Sequence, residues 1–175
     1  MKKHVCFVFI GLLTCLVVDA AEGKAKADWR IEVVPSRNSN GKGAVLYAKK
    51  PLDVFYVVLH NQSGKDQKVW RDWSPWGYDN LSFTAHVGDG EEVRVTRLPN
   101  NWDKSYPDAA LVKAGSCYVF EIHLAGKTWK GYKEIGAKPF KLSVVFKVTA
   151  TAESKEKGVW TGELKSSPIQ VTLRR

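Results

Sequence analysis

The sequence predicts an all-β domain, a two-sheet antiparallel sandwich of about nine short strands without a structural disulfide. Three observations carry that expectation. From Phe140 to Thr149, the apolar Phe140, Leu142, Val144, Phe146 and Val148 alternate with Lys141, Ser143, Val145, Lys147 and Thr149. A period of two puts one face in a core and the other mostly in water, whereas a helix would scatter the same residues around its circumference. Further short apolar runs recur along the chain, separated by Gly, Pro, Asn and Ser turns, with no alternation of strand and helix patterns. Finally, of Cys6, Cys15 and Cys117, the first two fall in an expected signal peptide, so the mature chain is left with one cysteine and must rely on its core.

The 175 residues open with Lys2 and Lys3, an apolar run from Val5 to Val18, and Val18-Asp19-Ala20 as a cleavage sequence. This is the secretory pattern, and the run is shorter than the ~18–20 residues that span a bilayer. Residues 1–20 are therefore read as a signal peptide cleaved after Ala20, giving a secreted or periplasmic product. Residues 21–28 read as a flexible N-terminus and 29–175 as a single sandwich domain, large enough to bury about 70% of its unfolded surface. Net charge is +9, and the signal removes two lysines and one aspartate to leave +8. That balance favours acidic partners without saying which.

Trp29, Ile31 and Val33 alternate with Arg30 and Glu32 before Pro35, which gives the first strand. Ser36 to Gly43 is a turn, and Ala44 to Ala48 a short strand. Asp53 to Asn61 is apolar on both faces, which places it centrally in a sheet. Lys68 to Trp73 is a further strand. Leu81, Phe83, Ala85 and Val87 alternate with Ser82, Thr84 and His86, and Gly88-Asp89-Gly90 turns the chain into Glu91 to Leu98. Pro99 to Ala110 is the longest irregular stretch, and Cys117 to Leu124 a strand in which Cys117 reads as a small buried hydrophobe. Ala125 to Lys138 reads as a basic loop, Ser154 to Gly158 as a charged turn, Val159 to Leu164 and Pro168 to Arg174 as the last strands. No helical segment is expected.

Two sets of residues carry a family resemblance. The run Phe55 to Ser63, ending His60-Asn61-Gln62-Ser63, resembles the apolar strand followed by Asn-x-Ser in bacterial immunoglobulin-like modules, including the intracellular proteinase inhibitor type. Trp76 to Phe83, Asn101-Trp102 through Tyr106-Pro107, and Gly158-Val159-Trp160-Thr161-Gly162 together resemble a group of uncharacterised secreted bacterial immunoglobulin-like proteins. The resemblance implies an immunoglobulin-like sandwich and brings no activity with it. No reactive-site loop can be matched residue by residue.

The unusual composition is aromatic. Trp73, Trp76, Tyr78, Trp102, Tyr106 and Trp129 fall beside Pro75, Gly77 and Pro107 or in basic loops, and form the candidate ligand-binding set. Exposed flat rings stack on sugar faces and attract cations; the structural alternative is that they cap the open ends of the sheets. His60, His86 and His123 each stand alone on a strand without ligand spacing, so no metal is expected. Asp103 to Asp108 lacks the glycine and terminal glutamate of a calcium loop. Cys117 and His123 share a strand face, but six strand steps place them about 20 Å apart, beyond any catalytic hydrogen bond. No nucleophile elbow, phosphate loop or dinucleotide fingerprint occurs. No cofactor is expected, and dispersed lysines argue against nucleic acid. The sequence thus points to a non-enzymatic, exported binding module for a carbohydrate, acidic polymer or protein. The alternative is a proteinase inhibitor or accessory domain acting through residues 99–110.

Overall fold

The computed structural model describes residues 28–35, 37–38, 44–48, 54–88, 90–103, 105–124 and 128–174. The expected signal peptide, nearly all of the expected flexible N-terminus and most of the 36–43 turn lie outside the described residues. The elements, in order, are β1 (Trp29–Val34), β2 (Arg37–Asn38), β3 (Ala44–Tyr47), β4 (Val54–Asn61), β5 (Gln67–Trp70), α1 (Pro75–Tyr78), β6 (Leu81–Val87) and β7 (Glu91–Arg97). There follow β8 (Ala109–Val112), β9 (Cys117–His123), β10 (Trp129–Lys130), β11 (Phe140–Val148), α2 (Ala152–Lys157), β12 (Gly162–Lys165) and β13 (Ile169–Arg174). The chain is all-β in character, with more than the nine strands expected. The additional ones, β2, β8 and β10, are short pieces within segments that read as turn or loop.

β1, β4 and β9 form a three-stranded antiparallel sheet with β4 in the middle. Its inner face carries Ile31 and Val33 from β1, Phe55, Val57 and Leu59 from β4, and Phe120 and Ile122 from β9, all buried. The larger sheet runs β10-β7-β6-β11-β13-β3-β2, with β12 adding to β11. All its pairings are antiparallel except β13 with β3, which is parallel. This departs from the wholly antiparallel expectation. A third, two-stranded sheet pairs β5 with β8 and buries Val69, Trp70, Ala110 and Val112.

The core face of β11 is as expected, with Phe140, Leu142, Val144, Phe146 and Val148 buried and Lys141 and Lys147 exposed, but on the other face Ser143 is buried too and Val145 partly so. One edge of β11 pairs with β6; the other is shared, β13 taking Phe140 to Leu142 and β12 taking Val145 to Val148. Ser166 fills the gap between them. Its Oγ accepts from the Val144 N–H at 3.0 Å, and its own N–H donates to the Val144 carbonyl at 2.9 Å. The inner faces of the two main sheets meet through rings: Phe55 with Phe83 at 5.5 Å and Phe120 with Phe146 at 5.6 Å between centroids.

Further expectations fail, the absence of helical segments among them, since α1 and α2 are both helical. Ser154 to Gly158 is not a turn but the end of α2. Thr151 and Ser154 form a reciprocal capping box, and Gly158 closes the helix in the left-handed region at φ 65°. The spacing Thr-x-x-Ser before a glycine was the available signal. Cys117 is not buried but exposed. β9 turns Tyr118, Phe120 and Ile122 toward the core, so parity sends Cys117, with Val119 and Glu121, outward.

The Asn-x-Ser after β4 has a structural role. Asn61 is 1% exposed; its Nδ2 donates to the carbonyls of Lys65 (2.8 Å) and Val112 (2.9 Å), and its Oδ1 accepts from the N–H and Oγ of Ser63. Its backbone N–H and carbonyl bond Ser116 and Gly115. One side chain therefore ties the end of β4 to the following turn and to β8. Asn61→Ala strands two carbonyls and two donors. It should lower the unfolding free energy by about 2–4 kcal/mol in urea denaturation; a change within about 0.5 kcal/mol, the range of neutral surface changes, would refute the role.

Candidate ligand-binding face

The site begins where β5 ends. Trp70 is buried, and Ser74, whose hydroxyl donates to the Arg71 carbonyl at 2.9 Å, starts α1 with Pro75 in its first turn. The turn is so tight that a Cβ on Gly77 would collide with the Arg71 carbonyl. This geometry sends consecutive aromatics in different directions. Trp76 folds back over Trp70, with centroids 6.1 Å apart, whereas Tyr78 meets the edge of Trp102 at 5.4 Å.

Beneath Tyr78 lies Arg97, the last residue of β7, with a side chain only 9% exposed. Its guanidinium sits 4.5 Å from the centroid of Tyr78 and 5.1 Å from that of Trp129, held between two rings. Asp72 neutralises it: Nη2 lies 3.1 Å from the carboxylate, and Nη1 donates to the Asp72 carbonyl at 3.3 Å. The Tyr118 hydroxyl donates to the other Asp72 oxygen at 3.4 Å. Burial and, after it, the Asp72 carboxylate push the Tyr118 phenol up to about 12. Arg71 does parallel work nearer the surface, lying 4.8 Å from the Trp73 ring centroid and pairing with Asp108 at 3.2 Å. The loops 71–78 and 99–108 are thus fastened to one another by an ion pair and a ring contact.

Of the six expected site residues, the structure brings Trp73, Tyr78 and Trp102 into this assembly, with Trp73 60% and Trp102 36% exposed. Tyr106 projects from the same loop as Trp102, 88% exposed. Trp76 is half-buried against Trp70. Trp129 is a correction: it is 4% exposed and packs on Phe83 at 5.2 Å, because β10 pairs with β7 and turns that ring into the core.

Beside the rings, the outer face of the larger sheet curls around a cleft of about 890 Å³. Its floor carries the hydroxyls of Ser82 and Thr84 on β6 and Thr96 on β7. Arg94 and Lys130 stand toward one rim and the Lys147–Glu163 pair, 3.1 Å apart, toward the other. Asp79, Arg97 and Pro99 line the same cleft, so its end adjoins the Tyr78–Trp102 pair. Sequence reasoning missed this face. Serine and threonines set opposite the core residues of β6 and β7 suit any solvated strand face, so they gave no signal of a cleft.

Elsewhere the three strand histidines face carboxylates: His60 and Glu32 at 2.8 Å, His86 and Glu92 at 3.1 Å, His123 and Glu121 at 2.7 Å. Among the described residues, no group of three or more His, Cys, Asp or Glu is placed to hold a metal ion. No family model matches the chain, and no curated protein matches it. The geometry therefore defines the site: an all-β scaffold presenting fastened aromatic loops at the end of a polar cleft.

Two measurements check this description. Asp72→Ala leaves the Arg97 charge buried between rings and should cost about 2–4 kcal/mol of stability, and the double change with Arg97→Met should recover part of that loss. Strict additivity would contradict the pairing. The raised phenol of Tyr118 favours the fold while neutral. Its contribution is complete below the unfolded pKa near 10 and is lost as pH rises through about 12. Tyr118→Phe should flatten the alkaline fall in melting temperature between those values; an unchanged slope would disprove the assignment.

Proposed function

We propose that this protein is an exported, non-enzymatic immunoglobulin-like sandwich that binds a surface carbohydrate or polyanion. The strand order supports the immunoglobulin-like reading. β1, β4 and β9 correspond to strands A, B and E, and β7, β6, β11 and β13 to C′, C, F and G of such a domain. The secretory pattern of residues 1–20 supports a secreted or periplasmic location. One observation carries the binding function: the exposed rings of Trp73 and Trp102 are held by Arg71 and Tyr78 in loops at the end of a polar cleft. Rings fixed before a ligand arrives lose little entropy on binding, which is what a stacking platform needs. A hydroxyl-lined cleft alongside suits a hydrogen-bonding polymer.

A second reading rests on the 99–110 loop. The described residues from Pro99 to Tyr106 are all exposed, and Tyr106 is 88% exposed. Such a loop fits inhibition of a proteinase or contact with another protein.

A glycan array probed with the mature protein, followed by titration of tryptophan fluorescence, tests the leading proposal. A binding glycan should quench the emission, and Trp102→Ala should weaken binding by about tenfold or more, the loss of roughly one stacking contact. Silence across the array together with inhibition of a proteinase panel that Tyr106→Ala abolishes would replace it with the second reading.

A further inference from the structure

We infer that the cleft takes a linear acidic polysaccharide, with Arg94 and Lys130 as the paired contacts for one acidic group. This deepens the carbohydrate reading and rests on it. Part of the charge in and around the cleft is already answered: Lys147 by Glu163 at 3.1 Å and Arg97 by Asp72 at 3.1 Å. Arg94 and Lys130 differ. Both are exposed, and neither side chain makes an ion pair or hydrogen bond among the described residues.

The pairing register sets them side by side. Lys130 lies opposite Thr96, and Arg94 is two residues earlier on the same face of β7. Diagonal neighbours of this kind stand ~7–8 Å apart, within joint reach of one carboxylate or sulfate for side chains of this length. The backbone fixes them there. Gly131 packs so closely on β7 that a Cβ would collide with the Arg94 carbonyl. Arg94 supplies a planar fork for a carboxylate, and Lys130 a compact second charge.

The rest of the lining selects among anions. Asp79, Glu92 and Glu163 share the cleft with Ser82, Thr84 and Thr96. A polymer with a phosphate at every unit would meet those carboxylates with like charge. A glycan whose rings carry hydroxyls beside each acidic group would also donate hydrogen bonds to them. Length follows from the strand. Arg94 is three residues from Arg97, which supports the Tyr78–Trp102 pair, so the two positions are about 10 Å apart along the β7 backbone. A ligand engaging both spans more than one sugar ring.

The test titrates the mature protein with polygalacturonate, its carboxyl-reduced neutral counterpart, polyphosphate and poly(dT). Polygalacturonate should bind at least about tenfold more tightly than the reduced polymer, and the preference should shrink as salt is raised. R94Q and K130Q, both surface changes, should each erase most of that preference, whereas Trp102→Ala should weaken both glycans alike. Equal binding of the acidic and reduced polymers, or R94Q/K130Q behaving as the parent, overturns the inference while leaving carbohydrate binding in place. Tighter binding of polyphosphate or poly(dT) than of either glycan overturns the choice of ligand. Failure of every polymer to bind removes the carbohydrate reading and this inference together.

Discussion

The fold depends on apolar contact between two sheets that nothing covalent joins among the described residues. Phe55 on β4 meets Phe83 on β6, and Phe120 on β9 meets Phe146 on β11. Each of these side chains is 1% exposed or less. Burial of such a ring contributes about 2–3 kcal/mol, and tilted ring pairs add about 0.5–1.5 kcal/mol each. Phe83 also touches Trp129, and Phe146 stacks on Trp160, so one ring cluster reaches the β10 rim of the larger sheet and a second the segment before β12. The one described cysteine is exposed and free, so these contacts act without a covalent link beside them.

The same strands make the core and the cleft. In β6 and β7, Phe83, Ala85, Val93 and Val95 point inward, which by parity turns Ser82, Thr84, Arg94 and Thr96 outward. A one-residue slip in either strand would destroy both faces at once. Ser166 and Gly131 serve this arrangement at a distance from it. One bridges β12 and β13 along the edge of β11; the other lets the chain after β10 lie against β7.

Arg97 is where scaffold and surface meet. A largely buried guanidinium is costly unless its charge is matched and its faces are covered. Here Asp72 supplies the charge, Tyr78 and Trp129 the faces, and Tyr118 a hydrogen bond to Asp72. Trp129 belongs to the core and Tyr78 to the loops, so one cation couples the orientation of the exposed rings to the packing of the interior.

Strand alternation is a local property, and the chain declares it openly: β1, β6, β7, β9, β11 and β13 all lie where period-two patterns predict, and β4 where an apolar run does. The centrality of β4 followed from its two apolar faces. Side-chain parity within β9 also pointed to an outward Cys117, although residue type suggested burial. What local pattern could not supply was anything created by strands far apart in sequence: the parallel pairing of β13 with β3, the turn of Trp129 inward, the Arg97–Asp72 pair and the neighbourhood of Arg94 and Lys130. Those depend on register between segments, which two-residue periodicity leaves free. The sequence by itself determined which residues alternate toward a core and which aromatics fall in loops, because both follow from neighbours along the chain. Only the tertiary structure decided which rings reach solvent and where the polar cleft forms, because sheet curvature and long-range pairing set those positions.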